Sequence, residues 1–195
     1  MDQDFEEHSF WLNFKSGLID LIQFLAIVLA FFVVLRFFIA EPHRVSGSSM
    51  VPNFHDGDLI ITNKLAPKMA TLQRGEVIIL QNPRNASEVF IKRIIGLPGD
   101  QVQISRGQVF INNQPLPEPY LPAGTQTREG QYLSEGEEVV VPDSHYLVMG
   151  DNRNGSSDSR EWGTIKKEAV VGQAFLRYWP PQSFTFLQVG KKSLY

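Results

Sequence analysis

The 195-residue chain contains no cysteine. That single absence excludes a disulfide framework, a cysteine-ligated zinc site and a thiol nucleophile, while leaving the redox compartment open. It also carries no excess of positive charge. The net charge of -3 comes from residues 1–17, where Asp2, Asp4, Glu6 and Glu7 face only Lys15, and the remainder balances to zero. Nothing resembles the basic footprint of a nucleic-acid binder, so no nucleic acid is expected as a partner. His-Glu-x-x-His and Gly-x-Ser-x-Gly are both missing. Metal-assisted hydrolysis and a nucleophile-elbow hydrolase built on His43, His55 or His145 are therefore set aside, and no metal or cofactor is expected. No internal repeat or low-complexity tract organises the chain.

What is present starts with one long apolar run at residues 18–40. As a helix it would span roughly 34 Å, enough to cross a hydrocarbon core of about 30 Å. A cleaved secretory leader would have a shorter core and a positive leading segment, whereas this one is acidic. Residues 1–17 are read as an acidic tail and 18–40 as an uncleaved transmembrane anchor in a lipid bilayer. Counting Lys15 against His43, Arg44, Lys64 and Lys68 favours a cytoplasmic position for the large domain beyond the anchor.

From residue 59 onward the pattern is short apolar strands punctuated by Gly, Pro and Asn: 59–62, 76–80, 89–95, 102–104, 109–111, 139–141, 146–149 and 169–178. The expected class is mostly β, a single N-terminal transmembrane helix followed by a compact all-β domain over 41–180, with a tail at 181–195. Residues 112–142, rich in Pro, Gly and polar side chains, read as a surface excursion.

Three stretches stand out chemically. Ser46-Gly47-Ser48-Ser49-Met50-Val51-Pro52 is a poor helix and a poor central strand, and can aim a hydroxyl into a cleft; the bland alternative is a polar linker leaving the membrane. In Val89-Phe90-Ile91-Lys92-Arg93-Ile94-Ile95 the side chains alternate, with Phe90, Lys92 and Ile94 on one face and Val89, Ile91, Arg93 and Ile95 on the other. Both faces are apolar, so one cation points into a hydrophobic environment. It either snorkels out or loses its proton more readily and serves as a base. Residues 150–160, Gly-Asp-Asn-Arg-Asn-Gly-Ser-Ser-Asp-Ser-Arg, interleave acids, arginines and hydroxyls directly after an apolar strand. They form either a solvated turn or a loop with its own Asp–Arg pair holding a hydroxyl against a site. A nucleophile, a base and an orienting group together meet the requirements for acyl transfer.

On these residues the chain resembles the bacterial-type type I signal (leader) peptidases, membrane-bound serine proteases with a Ser–Lys dyad. The Ser-Met-x-Pro box matches Ser49 to Pro52, and the Arg-Gly-Asp strand start resembles Arg74-Gly75-Glu76. The Tyr-Ile-Lys-Arg-x-x-Gly-x-Pro-Gly-Asp box matches Phe90 to Asp100 with Phe for Tyr, and Gly-Asp-Asn-Arg-x-x-Ser-x-Asp-Ser-Arg matches Gly150 to Arg160. The four boxes run in the family's order from the anchor to about Pro180.

The resemblance implies Ser49 as nucleophile, Lys92 as general base, Ser156 as the hydroxyl orienting the lysine, and Asp158 and Arg160 as braces. It implies Val45, Phe90 and Ile91 as lining for shallow substrate pockets. Preproteins with signal peptides are then the substrates, and the protein export machinery is a candidate partner. The expected location is a cytoplasmic or, where the cell has one, a thylakoid membrane, with the domain on its exported side, against the charge count. Departures are Pro52-Asn53 where the family often has Pro-Thr, and Gly47 where some members place an oxyanion-donating serine. Larger members insert a second β-domain, for which residues 101–143 leave little room. Two alternatives stand beside this reading: a self-cleaving repressor of the related fold, which the anchor argues against, and a membrane-tethered non-enzymatic β-domain that binds exported partners.

Overall fold

The structure, a computed structural model, describes residues 2–187. The chain divides between Ile39 and Ala40 into two units. The first is helix α1, Asp2–Val34, ending in a π-helical turn, Leu35–Ile39. Within α1, Lys15–Val34 is long and apolar enough to cross a membrane. Ile19, Ile22, Phe24, Ile27 and Phe32, whose spacing spreads them around the whole circumference of the helix, are all exposed. An exposed apolar surface on every side calls for an apolar solvent. The acidic segment expected as a separate tail is helical from Asp2 and runs unbroken into the apolar run.

The second unit is built almost entirely of antiparallel strands. In chain order they are β1 (Ala40–Arg44), β2 (Leu59–Asn63), β3 (Val77–Asn82), β4 (Asn85–Gly96), β5 (Gln101–Ser105), β6 (Gln108–Ile111), β7 (Gln114–Pro115), β8 (Glu138–Val140), β9 (His145–Met149), β10 (Ile165–Lys166), β11 (Val170–Trp179) and β12 (Thr185–Phe186). One sheet has the order β1-β2-β11-β3-β4-β9-β10, with β12 pairing β11; the other has the order β7-β6-β5-β8. Two single-turn helices, α2 (Ala66–Met69) and α3 (Ser159–Trp162), complete the unit. The mostly β expectation holds.

Alternation along β3 shows how the larger sheet is held. Val77 and Ile79 pack on one face with Val45, Met50, Phe54, Ile60 and Ile91, while Ile78 and Leu80 pack on the other with Leu72, Ile94, Tyr146 and Val148. A third cluster, Ile95, Val102, Ile104, Val109, Leu133, Val141, Leu147 and Met149, joins the two sheets. Burying each such side chain contributes about 1.5–3 kcal/mol.

Several expected extents shift. Ala40 opens β1 rather than closing the anchor. The segment expected as a tail from 181 folds into a short 3₁₀ turn and β12, and residues 188–195 lie outside the described residues. Residues 101–143 supply the four-stranded sheet, which belongs to the same unit as the larger one, so the expectation that no separate second β-domain is inserted there holds. The excursion at 112–142 is not a free surface loop, since β7, β8 and buried Leu133 and Thr127 fix it to the body.

Candidate active site

Ser49 sits on a turn whose shape follows from its neighbours. Gly47 takes a φ of 85°, which other residues avoid, and its N–H donates to Asp56 Oδ1 at 2.8 Å. Val51 N–H donates to Ser48 O and Phe54 N–H to Met50 O, closing the turn. Met50 and Phe54 are buried beneath it, whereas Ser46 and Ser48 are exposed and Ser49 is half-buried. Core packing on either side of the turn thus leaves one of the three hydroxyls aimed inward.

That hydroxyl meets Lys92. The Lys92 Nζ lies 2.9 Å from Ser49 Oγ and 3.0 Å from Ile91 O. The lysine is 3% exposed, and Nζ sits 5.1 Å from the centre of the Phe90 ring. Burial lowers its pKa from 10.5 to about 8, against the opposing pull of the Asp158 and Asp151 carboxylates, with Arg160 adding to the fall. Of the two cations on β4, Arg93 takes the carboxylate. Its Nε and Nη2 donate to Asp151 at 2.8 and 2.6 Å, and Nη1 donates to Gly75 O at 2.7 Å.

The 150–160 loop holds this pair from the other side. Asn152 N–H donates to Ser49 O at 2.9 Å, and its side-chain Nδ2 to Ser48 O at 3.1 Å. A Cβ on Gly150 would stand 2.4 Å from Ser49 O and 2.3 Å from Ser156 Oγ, so only glycine permits the approach. Asp158 is fully buried and caps α3. It accepts from Gly150 N–H at 3.0 Å and from Arg160 Nε and Nη2 at 2.8 Å each. Ser156 Oγ is buried with no hydrogen-bond partner among the described residues. It reaches the site without bonding Lys92.

Among the pocket residues, Val45 and Ile91 are buried in one cluster, while Phe90 packs against the cluster on the opposite face of the sheet. The three do not form one wall. Among the described residues no group of His, Asp and Glu could hold a metal ion.

The loop's role splits cleanly by substitution. Asp158→Ala leaves the Arg160 guanidinium buried without its counter-ion and Gly150 N–H without an acceptor, and is expected to cost about 3–5 kcal/mol in chemical denaturation. Ser156→Ala removes a buried hydroxyl that satisfies nothing in the fold, so stability should hold or rise while the rate of any reaction at Ser49 falls by roughly tenfold. A Ser156→Ala protein of lowered stability and unchanged rate would reverse the assignment.

Sequence reading missed Asn53 and Asn152. Asn53, noted only as a departure at Pro52-Asn53, donates through Nδ2 to Asp151 Oδ2 and to Tyr120 O, both at 2.8 Å. The fixed place of Asn152 in its box was the available signal, but its partner lies 103 residues away in sequence.

The family model described as "Signal peptidase, peptidase S26" matches residues 18–179. A probable signal peptidase I-2 of Synechocystis is 40% identical over 176 residues, covering 87% of this chain and 74% of that one. Signal peptidase IB of Staphylococcus aureus is 31% identical over 183 residues, covering 88% of this chain and 95% of that one. A crystal structure of a signal peptidase I from Enterococcus faecalis, 30% identical, covers 53% of this chain and 96% of its own, with a TM-score of 0.45.

Proposed function

The chain belongs to the signal peptidase family, peptidase S26, and we propose that it removes signal peptides with Ser49 as nucleophile and Lys92 as general base. The observation that carries this is the 2.9 Å line between Ser49 Oγ and a lysine nitrogen that burial has made easier to deprotonate. With the ammonium form, Nζ donates to the hydroxyl. Once neutral, the amine takes the hydroxyl proton as Oγ attacks the scissile carbonyl. The lysine then hands that proton to the leaving amine, and water, activated by the same nitrogen, cleaves the acyl-enzyme ester. Ser49 N–H is one donor for the oxyanion. Ser156, whose buried hydroxyl bonds no other group among the described residues, would turn to the amine to orient it; Asp158 and Arg160 hold the loop that carries it.

A substrate in extended form has a place to pair. β3 covers one edge of β4 from Val77 opposite Arg93 to Gln81 opposite Val89, whereas β9 covers the other edge only from Arg93 onward. Because Ile94 N–H donates to Glu76 O, the antiparallel alternation turns the main-chain groups of Phe90 and Lys92 toward β3 and those of Val89 and Ile91 toward the open edge beside the dyad, as strand addition requires. Val45, Ile91 and Phe90 would form walls for small side chains from the two faces of that strand. Cleavage of a preprotein by the wild type and by Ser49→Ala tests the reading.

The anchor, residues 15–34 of α1, would hold the chain in the membrane that its substrates cross. The domain from Ala40 onward then stands on the exported side. Protease added to that side of sealed membranes is expected to digest the domain; full protection there, with digestion only from the cytoplasmic side, would favour the charge count instead.

A further inference from the structure

The proline-rich part of the 112–142 segment touches the site at more points than a connection between sheets requires. Buried Arg153 donates through Nε to Gly150 O at 3.2 Å, through Nη1 to Thr127 Oγ1 at 2.5 Å and to Glu118 Oε2 at 2.9 Å, and through Nη2 to Glu118 Oε1. The Tyr120 hydroxyl donates to the same Glu118 oxygen at 2.7 Å. The Arg93 guanidinium carbon lies 4.0 Å from the centre of the Tyr120 ring, and Tyr120 O accepts from Asn53 Nδ2. Each contact ends one step from the reacting groups. Gly150 packs on Ser49 O and Ser156, Arg93 and Asn53 both hold Asp151, and Asn53 lies four residues beyond Ser49 on the same turn.

We propose that Glu118 and Tyr120 are positioning residues for the peptidase reaction: together they lock the Ser49 turn and the 150–160 loop into one geometry. The inference rests on the Ser49–Lys92 reading. The Arg153–Glu118 ion pair is almost wholly withdrawn from water, with side chains 1% and 13% exposed. Such a pair is a poor source of stability against an apolar substitute, but it fixes position firmly, because moving either partner strands a buried charge. The Tyr120 ring covers Arg93 and so holds the cation against Asp151. That cation matters to the lysine. The charged groups facing Lys92 are Asp158 and Arg160 at α3 and Asp151 after β9. Anything that lets Arg93 drift off Asp151 strengthens the field holding the proton on Lys92.

The test uses the full chain in detergent, a fluorogenic peptide spanning a signal-peptide cleavage site, and rates counted per Ser49 labelled by a serine-directed covalent inhibitor. Glu118→Gln, which keeps size and shape, is expected to lower kcat by about 10- to 100-fold with KM within about twofold, the signature of misplacement rather than lost binding. Tyr120→Ala should lower kcat similarly and move the ascending limb of the pH profile upward by roughly half a unit or more. Tyr120→Phe, which retains the ring over Arg93, should restore that limb. Unchanged kcat per labelled site in Glu118→Gln overturns the proposal even if Tyr120→Ala fails to fold. So does a lowered melting temperature in Tyr120→Ala with kcat and pH limb unmoved. Cleavage persisting in Ser49→Ala would instead sink the underlying reading and leave the ion-pair network as architecture only.

Discussion

Ser49→Ala abolishes cleavage of a preprotein while the protein keeps its fold, and Ser46→Ala and Ser48→Ala do neither harm to cleavage nor to the fold. The expected loss is roughly 10⁴- to 10⁶-fold, the range in which removing a serine nucleophile leaves only binding and oxyanion stabilisation. The structure separates the three serines by what surrounds them. Ser46 and Ser48 are exposed, while Ser49 is half-buried with Oγ 2.9 Å from Lys92 Nζ. The turn itself is held by main-chain bonds, Asn152 N–H on Ser49 O and Val51 N–H on Ser48 O, so truncating one hydroxyl leaves its frame intact. Preprotein processing followed by gel shift, alongside thermal unfolding of each variant, checks this. Cleavage by Ser49→Ala at more than a few per cent of the wild-type rate, or loss in Ser48→Ala with a retained fold, would move the nucleophile elsewhere.

Much of this site can be read from the chain, for a physical reason. Ser49, Lys92 and the 150–160 loop occur in short segments whose local chemistry is unusual: three small hydroxyls on a turn, a lysine inside an apolar strand, acids and arginines among glycines. The central strands are legible for a similar reason, since β3 and β9 are runs of apolar residues buried on both faces. β1 escaped notice because Glu41-Pro42-His43-Arg44 is polar and contains proline, yet an edge strand tolerates both. The role of Arg177 is equally silent. It donates to Asn53 O at 2.6 Å and to Asp58 at 3.2 Å, groups 124 and 119 residues away, and so clamps the end of the Ser49 turn from β11. No local pattern marks such a residue. Lys92 and Arg93 show the limit most sharply: alternation put them on opposite faces, but only the fold decides which one receives Asp151.

That division of charge leads to the outcome expected for Lys92. With its pKa at about 8, roughly one lysine in ten is neutral at pH 7, against about one in 3,000 for an ordinary lysine, a gain of about 300-fold in competent enzyme. The kcat/KM profile should therefore rise through an ascending limb near pH 8. Lys92→Arg should lose roughly 10³- to 10⁴-fold at every pH, because guanidinium keeps its proton. The same shift has a consequence for stability. The fold disfavours the ammonium, so the unfolded chain binds the proton more tightly. The penalty, on the order of 3 kcal/mol, is present in full below about pH 8 and is relieved as pH rises from there toward 10.5. Lys92→Met, which fills the space without a charge, should then be inactive yet more stable than wild type at pH 7, with the difference shrinking in alkali. Denaturant midpoints at pH 7 and pH 10, beside the pH–rate profile, measure both halves. A wild-type limb near pH 10, substantial activity in Lys92→Arg, or a Lys92→Met protein less stable at pH 7 than at pH 10 relative to wild type would each show that burial has not made this lysine a base.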